Sequence, residues 1–122
     1  MAGLLFGGAM IPKNLSFHDA VIAGIEREGT SYALHVEDVA VDDGEDVING
    51  TLVLEEVRRV VVDGNDTAEL VMSGDDGEIL ELEERPGPVL RVVVVWTKYA
   101  SHDETQNLHL IECKDVRWEA DQ

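Results

Sequence analysis

LSFHDAVI (residues 15–22) places apolar side chains at Leu15, Phe17, Ala20 and Ile22. The steps run two, three, two, and Asp19 sits in the long step. A flat strand keeps a step of two, and a helix uses three and four. A single change of phase inside a strand is the mark of a bulge or a sharp bend. The same spacing returns in LHVEDVAV (34–41) with Asp38 in the gap, and in IECKDVRW (111–118) with Asp115. LVLEEVRR (52–59) follows it through Val57, with Glu56 in the gap, and departs at Arg59.

Pairing these stretches predicts a curved antiparallel sheet. With Arg27-Glu28-Gly29 as a three-residue hairpin loop, Ile22 faces Leu34, Ala20 faces Val36, Phe17 faces Val39 and Leu15 faces Val41. All four pairs are apolar, so two ribbons that break phase at one level bend together. Asp75-Asp76-Gly77 as a loop sets Met72 against Leu80. Arg85-Pro86-Gly87 sets Leu82 against Leu90, and Gly64-Asn65-Asp66 joins the strands on either side of it. The expectation is one all-β domain over residues 1–122, a strongly curved antiparallel meander that is barrel-like or a sandwich. Its seven strands are 15–26, 31–41, 51–62, 67–73, 78–84, 88–98 and 106–119. VLRVVVVW (89–96) and LHLI (108–111) are apolar on both faces, so a cover is expected on each side.

Composition narrows the function classes. The chain has 122 residues, a net charge of −17 and one cysteine, Cys113. The charge repels phosphate backbones, so no nucleic-acid partner is expected; a basic protein partner or plain solubility accounts for it. Cys113 lies in an apolar stretch and reads as a buried, inert thiol. The opening MAGLLFGGAMIPKN (1–14) is apolar with no basic flank before it, and its apolar run is shorter than the roughly 20 residues of a membrane span. Residues 1–14 are therefore expected as an arm or edge strand, and the chain as cytoplasmic without a membrane anchor.

The candidate chemistry is sparse. Ser101-His102-Asp103 has triad letters, but neighbours in one loop cannot chain their side chains in that order. The histidines His18, His35, His102 and His109 show no metal-ligand spacing, and the acidic turns lack the spacing of a calcium loop. No catalytic residue, metal or cofactor is expected. The gap acids read as partners for backbone N–H groups freed at each bend. His18 and Asp38 come close on the register above. With His35 and Tyr99 they form the candidate ligand-binding set, while Trp96 and Trp118 fall in phase with the core.

The residues FHDAVIAGI, LEEV, GEILEL and ECKDVRWE resemble a group of small bacterial β-rich proteins that open on a Phe-His-Asp-Ala type motif. Some of those are similar to immunity proteins that neutralise polymorphic toxins. The resemblance covers about residues 15–119; it implies a compact β fold, permits an immunity role and brings no catalytic residues. The leading expectation is thus a non-catalytic binding protein, an immunity-type inhibitor of a basic toxin domain. The alternatives are a small-ligand binder using a cavity in the curved sheet, or a homo-oligomer joined through 89–96 and 108–111.

Overall fold

The computed structural model describes residues 11–121. The arm expected over 1–14 lies outside them as far as residue 10; residues 12–14 form a turn in which the Leu15 N–H reaches the Pro12 carbonyl at 3.3 Å.

Among the described residues all regular structure is β. The strands are β1 (Leu15–Ser16), β2 (Val21–Glu28), β3 (Ser31–Val41), β4 (Asp46–Glu55), β5 (Arg59–Val62), β6 (Asn65–Thr67), β7 (Asp76–Arg85), β8 (Val89–Lys98), β9 (Asp103–Glu112) and β10 (Asp115–Ala120). All pair antiparallel in one sheet, ordered β10-β4-β3-β2-β7-β8-β9-β5-β6, with β1 on β3. Among the described residues no ladder joins β10 to β6, so the path is open.

Ten strands replace the expected seven, and the phase breaks explain why. Three expected strands each split in two where a copy of the broken pattern changes phase: 15–26 at the Phe17–Ala20 elbow, 51–62 at Glu56–Arg58 and 106–119 at Cys113–Lys114. The fourth copy stays whole as β3, but its ladder to β4 slips between Val36 and Val39. Three of the four gap acids hold a left-handed backbone: Asp19 at φ 71°, Asp38 at 60° and Glu56 at 49°. Aspartate visits this region more readily than β-branched residues do, which strands otherwise favour. Only Asp115 plays the expected part, its Oδ1 accepting the Val116 N–H at 3.0 Å.

Registers shift accordingly. The β2–β3 loop is Gly29-Thr30, with Glu28 opposite Ser31 and Gly29 at φ 64°, a shorter hairpin than expected. Ile22 therefore faces Val36 rather than Leu34, while Leu15 does face Val41. Ala23, an extra residue in β2, and the long elbow absorb the difference. In the β7–β8 hairpin Arg85 faces Val89 and Leu82 faces Val92, because the loop is Pro86-Gly87-Pro88; β7 carries its own extra residue at Leu80. Asp75-Asp76-Gly77 is not a loop, and the strand expected at 67–73 shrinks to β6. Gly77 pairs with Trp96, and a Cβ there would sit 2.5 Å from Val94 Cγ1 and 2.7 Å from the Trp96 ring. This glycine makes room for an indole.

The core gathers Ile22, Leu34, Val36, Leu52, Leu54, Ile79, Leu90, Val94, Trp96 and Ile111, each almost wholly shielded. Each such side chain contributes roughly 1.5–3 kcal/mol relative to exposure. The two-sided reading of 89–96 holds in part. Val93, on the face opposite Val92 and Val94, is buried, whereas Val95, Leu108 and Leu110 are half-buried.

The left-handed gap residues give a direct test. Asp38 is exposed, so its substitution probes backbone conformation more than packing. Asp38→Val is expected to cost about 1–2 kcal/mol and Asp38→Gly well under about 1 kcal/mol, read from urea denaturation midpoints. Equal losses for both would remove the conformational role assigned to the acid.

Candidate functional site

The elbow between β1 and β2 builds a groove. Phe17 turns inward, its ring edge-on to Trp118 at 5.4 Å and 84°. The Ala20 N–H closes the turn on the Phe17 carbonyl at 3.0 Å. Asp19 N–H donates to the Ile79 carbonyl and Ile79 N–H to the Ala20 carbonyl, both at 2.8 Å. His18 Nδ1–H donates to the Leu80 carbonyl at 2.7 Å. The Phe-His-Asp-Ala stretch is thus a clasp: one apolar anchor, one ring and two backbone bonds hold the elbow on the bulge of β7.

Past the clasp β1 and β7 part. β2 pairs with β7 only at Val21 and Ile22, so from Glu81 onward β7 has no strand neighbour on this side among the described residues. The gap is a groove of about 930 Å³ with Leu15, Phe17 and Leu82 along it. Lys13, His18, Glu81 and Arg91 line it with charge, and Arg91 Nη1 donates to Glu81 at 2.7 Å. The Leu80 carbonyl, and then Asp19 with Oδ1 3.6 Å from Nε2, push the exposed His18 imidazole above its ordinary value. Glu78 is raised too, chiefly by its hydrogen bond to Asp19. The rim carries a cation at mildly acidic pH beside carboxylates.

The other candidate residues lie elsewhere. His35 sits on the outward side of β3, its Nε2–H on Glu26 Oε1 at 2.6 Å and its Nδ1 facing the Thr51 hydroxyl at 3.3 Å. Asp38 is at the β3 slip, its N–H on Asn49 Oδ1 at 3.1 Å, and forms no pair with His18. Tyr99 is exposed beyond the end of β8; its N–H reaches Asp75 Oδ2 at 2.8 Å and its hydroxyl reaches Asp76. The acceptor Asp76 raises the Tyr99 phenol. Of the candidate set only His18 enters the groove, since the three others are held in local strand and turn networks. Among the described residues no group of three potential metal ligands converges.

Two sites escaped the sequence reading. Asp63, in the β5–β6 turn, accepts the Leu108 N–H at 2.8 Å and Asn107 Nδ2–H at 2.6 Å, and those bonds lower its carboxyl. His109 is only 2% exposed, with Nε2 accepting Trp96 Nε1–H at 3.2 Å. Its Nδ1 then carries the proton and has no partner among the described residues. The signal for His109 was its alternation with Ile111 along β9, which turns the histidine inward; Asp63 gave none. Cys113 is fully buried, and burial pushes its thiol up to about 11, so it is no thiolate nucleophile at neutral pH.

No family model, curated protein or solved structure matches this chain.

Burial holds His109 below its ordinary 6.5, against a smaller opposing pull from Asp63. The unfolded chain therefore binds the proton more readily, and this residue's contribution to stability is present above pH 6.5 and lost as the pH falls below it. His18 acts with the opposite sign but is exposed and weak. Comparing the wild type with His109→Leu isolates the term. The wild type should lose more stability between neutral and mildly acidic pH than the variant, by urea midpoints at each pH. Parallel pH profiles would refute a neutral, buried His109.

Proposed function

We propose that the chain is a non-catalytic interaction protein whose groove between the β1–β2 elbow and β7 takes an extended segment of a basic protein partner. The observation that carries this is the open side of β7 beside an apolar floor. A strand added there gains main-chain hydrogen bonds, and alternate side chains reach Leu15, Phe17 and Leu82. Charge favours a basic occupant: the chain is −17 overall, and Glu78, Glu81 and Glu83 border the groove or stand beside it. The resemblance of the Phe-His-Asp-Ala stretch agrees with an immunity-type inhibitor of a basic toxin domain, working in the cytoplasm. The shared bends of paired strands support a barrel-like closing of the sheet around the core.

A small-ligand reading draws on one observation, the groove's volume, which falls among those of small-molecule sites. It places His18 and Arg91 as the polar contacts. An outward apolar patch of Val95, Leu108 and Leu110 supports the homo-oligomer reading.

Ser16 is exposed in the groove and suits a blocking substitution, Ser16→Arg. The tagged wild type and this variant are compared for capture from native lysate at low and high salt. The expected result is a basic protein that is lost at high salt and at Ser16→Arg, and that rebinds the purified wild type in equal proportion. A bound small molecule seen by native mass spectrometry, or equal capture by both chains, overturns the proposal. Self-association by light scattering would shift the reading to the oligomer.

A further inference from the structure

The chain has only nine lysines and arginines, yet three of them, Arg27, Arg58 and Arg59, line one small pocket at the bend between β4 and β5. Its volume is about 70 Å³, and Thr30 and Thr67 complete the polar wall. Two of the guanidinium groups are held in place. Arg27 donates from Nη1 to Glu69 at 2.7 Å and from Nε to the Gly29 carbonyl at 2.8 Å, and lies 5.6 Å from the centre of the Tyr32 ring. Arg59 Nε donates to Asp66 Oδ1 at 2.8 Å, and its terminal nitrogens hold no hydrogen bond among the described residues. The Arg58 backbone is fixed by its N–H on the Glu112 carbonyl at 2.7 Å, while its side chain has no carboxylate partner among the described residues. In a strongly acidic chain, an arginine without an acid beside two oriented ones is out of keeping with surface solubility.

We propose that this pocket binds a single phosphate group. A carboxylate is satisfied by one guanidinium fork, whereas a small space lined by three arginines matches an anion with three or four oxygens. The volume admits one such group and leaves an ester substituent in solvent. The carboxylates of Glu69 and Asp66 act as struts, because they remove the rotamer freedom that binding would otherwise have to freeze. All three arginines are exposed, so binding is weak and salt-sensitive.

The test is a titration of the full chain followed by amide and arginine Nε resonances, at constant ionic strength made up with chloride. Inorganic phosphate, O-phosphoserine and acetate are the three ligands. Saturable shifts confined to residues 27–30, 57–60 and 67–69 are expected with phosphate and phosphoserine, and none with acetate. Stronger binding of phosphoserine would mark a phosphorylated partner as the source; stronger inorganic phosphate would mark the free ion. Arg58→Ala should weaken binding roughly threefold or more, and Arg58→Lys less than that, since it keeps the charge and loses the fork. Lys98→Ala, away from the pocket, should leave it unchanged. The proposal fails if no saturable shift appears, if acetate matches phosphate, or if Arg58→Ala titrates like Lys98→Ala. Folding of each variant is read from the same spectra, and the wild-type arginine Nε shifts decide the matter should Arg58→Ala not fold.

Discussion

The ribbon made by β4–β5 and β9–β10 must turn a corner without leaving backbone groups stranded, and the rest of the sheet depends on how it does so. On one side Asp115 faces Glu55, and on the other Arg59 faces Glu112. Between them Lys114 N–H donates to the Glu55 carbonyl at 2.9 Å and Arg58 N–H to the Glu112 carbonyl at 2.7 Å. Glu56 supplies the turn by going left-handed, which frees the Val57 N–H to reach the Thr30 carbonyl at 2.8 Å. That bond ties the corner to the β2–β3 hairpin. Buried backbone groups need partners, so the corner, the hairpin and the β7 clasp share one solution: a local reversal of handedness and a donor handed to the next strand over. Through this corner the two consecutive pairs β4, β5 and β9, β10 serve both ends of the strand order.

Charge contributes little to this construction. The ion pairs join exposed or half-exposed side chains, as in Arg85 with Glu83 and Arg59 with Asp66, and pairs of that kind are worth roughly 0–1 kcal/mol each. The −17 charge works against compaction, so stability rests on the apolar core. His109 is the exception that proves informative. It takes an apolar residue's place in a buried alternation, gains one hydrogen bond from Trp96 and leaves its Nδ1–H without a partner among the described residues. An unpaired buried donor costs about 1–3 kcal/mol, so the site ties core integrity to proton concentration in a way the surface pairs do not.

The fold was legible where a single physical signal dominated. The broken apolar spacing located all four bends, since burial and side-chain alternation act on the same residues. Strand count was not legible, because a bulge and a full break leave the same mark in spacing; β3 survived Asp38 while the chain at Asp19 did not. Hairpin registers failed for a different reason. The loops themselves, Gly29-Thr30 and Pro86-Gly87-Pro88, set the registers off, and the extra residues Ala23 and Leu80 each give back only one position. Gly77 misled because a glycine after two aspartates looks like a turn, whereas here it yields space to Trp96 across the ladder. Of the candidate set, His18 was chosen for a closeness to Asp38 that the structure lacks, and it lines the groove for another reason, the clasp on β7; His35, Asp38 and Tyr99 have only local partners. The arginine pocket was invisible because Arg27 and Arg58 lie far apart in sequence and meet only at the corner.

An open strand flank is a hazard that proteins usually suppress with charge. β7 follows that practice: Glu81 and Glu83 alternate along its exposed side, and each already holds an arginine, Arg91 and Arg85. The flank still keeps carboxylates at Glu81 and Glu83. A random apolar strand approaching it must desolvate those acids without return. A strand with basic residues at the matching positions exchanges one cation for another and keeps the main-chain bonds. The proposed basic occupant fits this spacing: the carboxylates that oppose self-pairing of β7 are the ones a basic strand would meet.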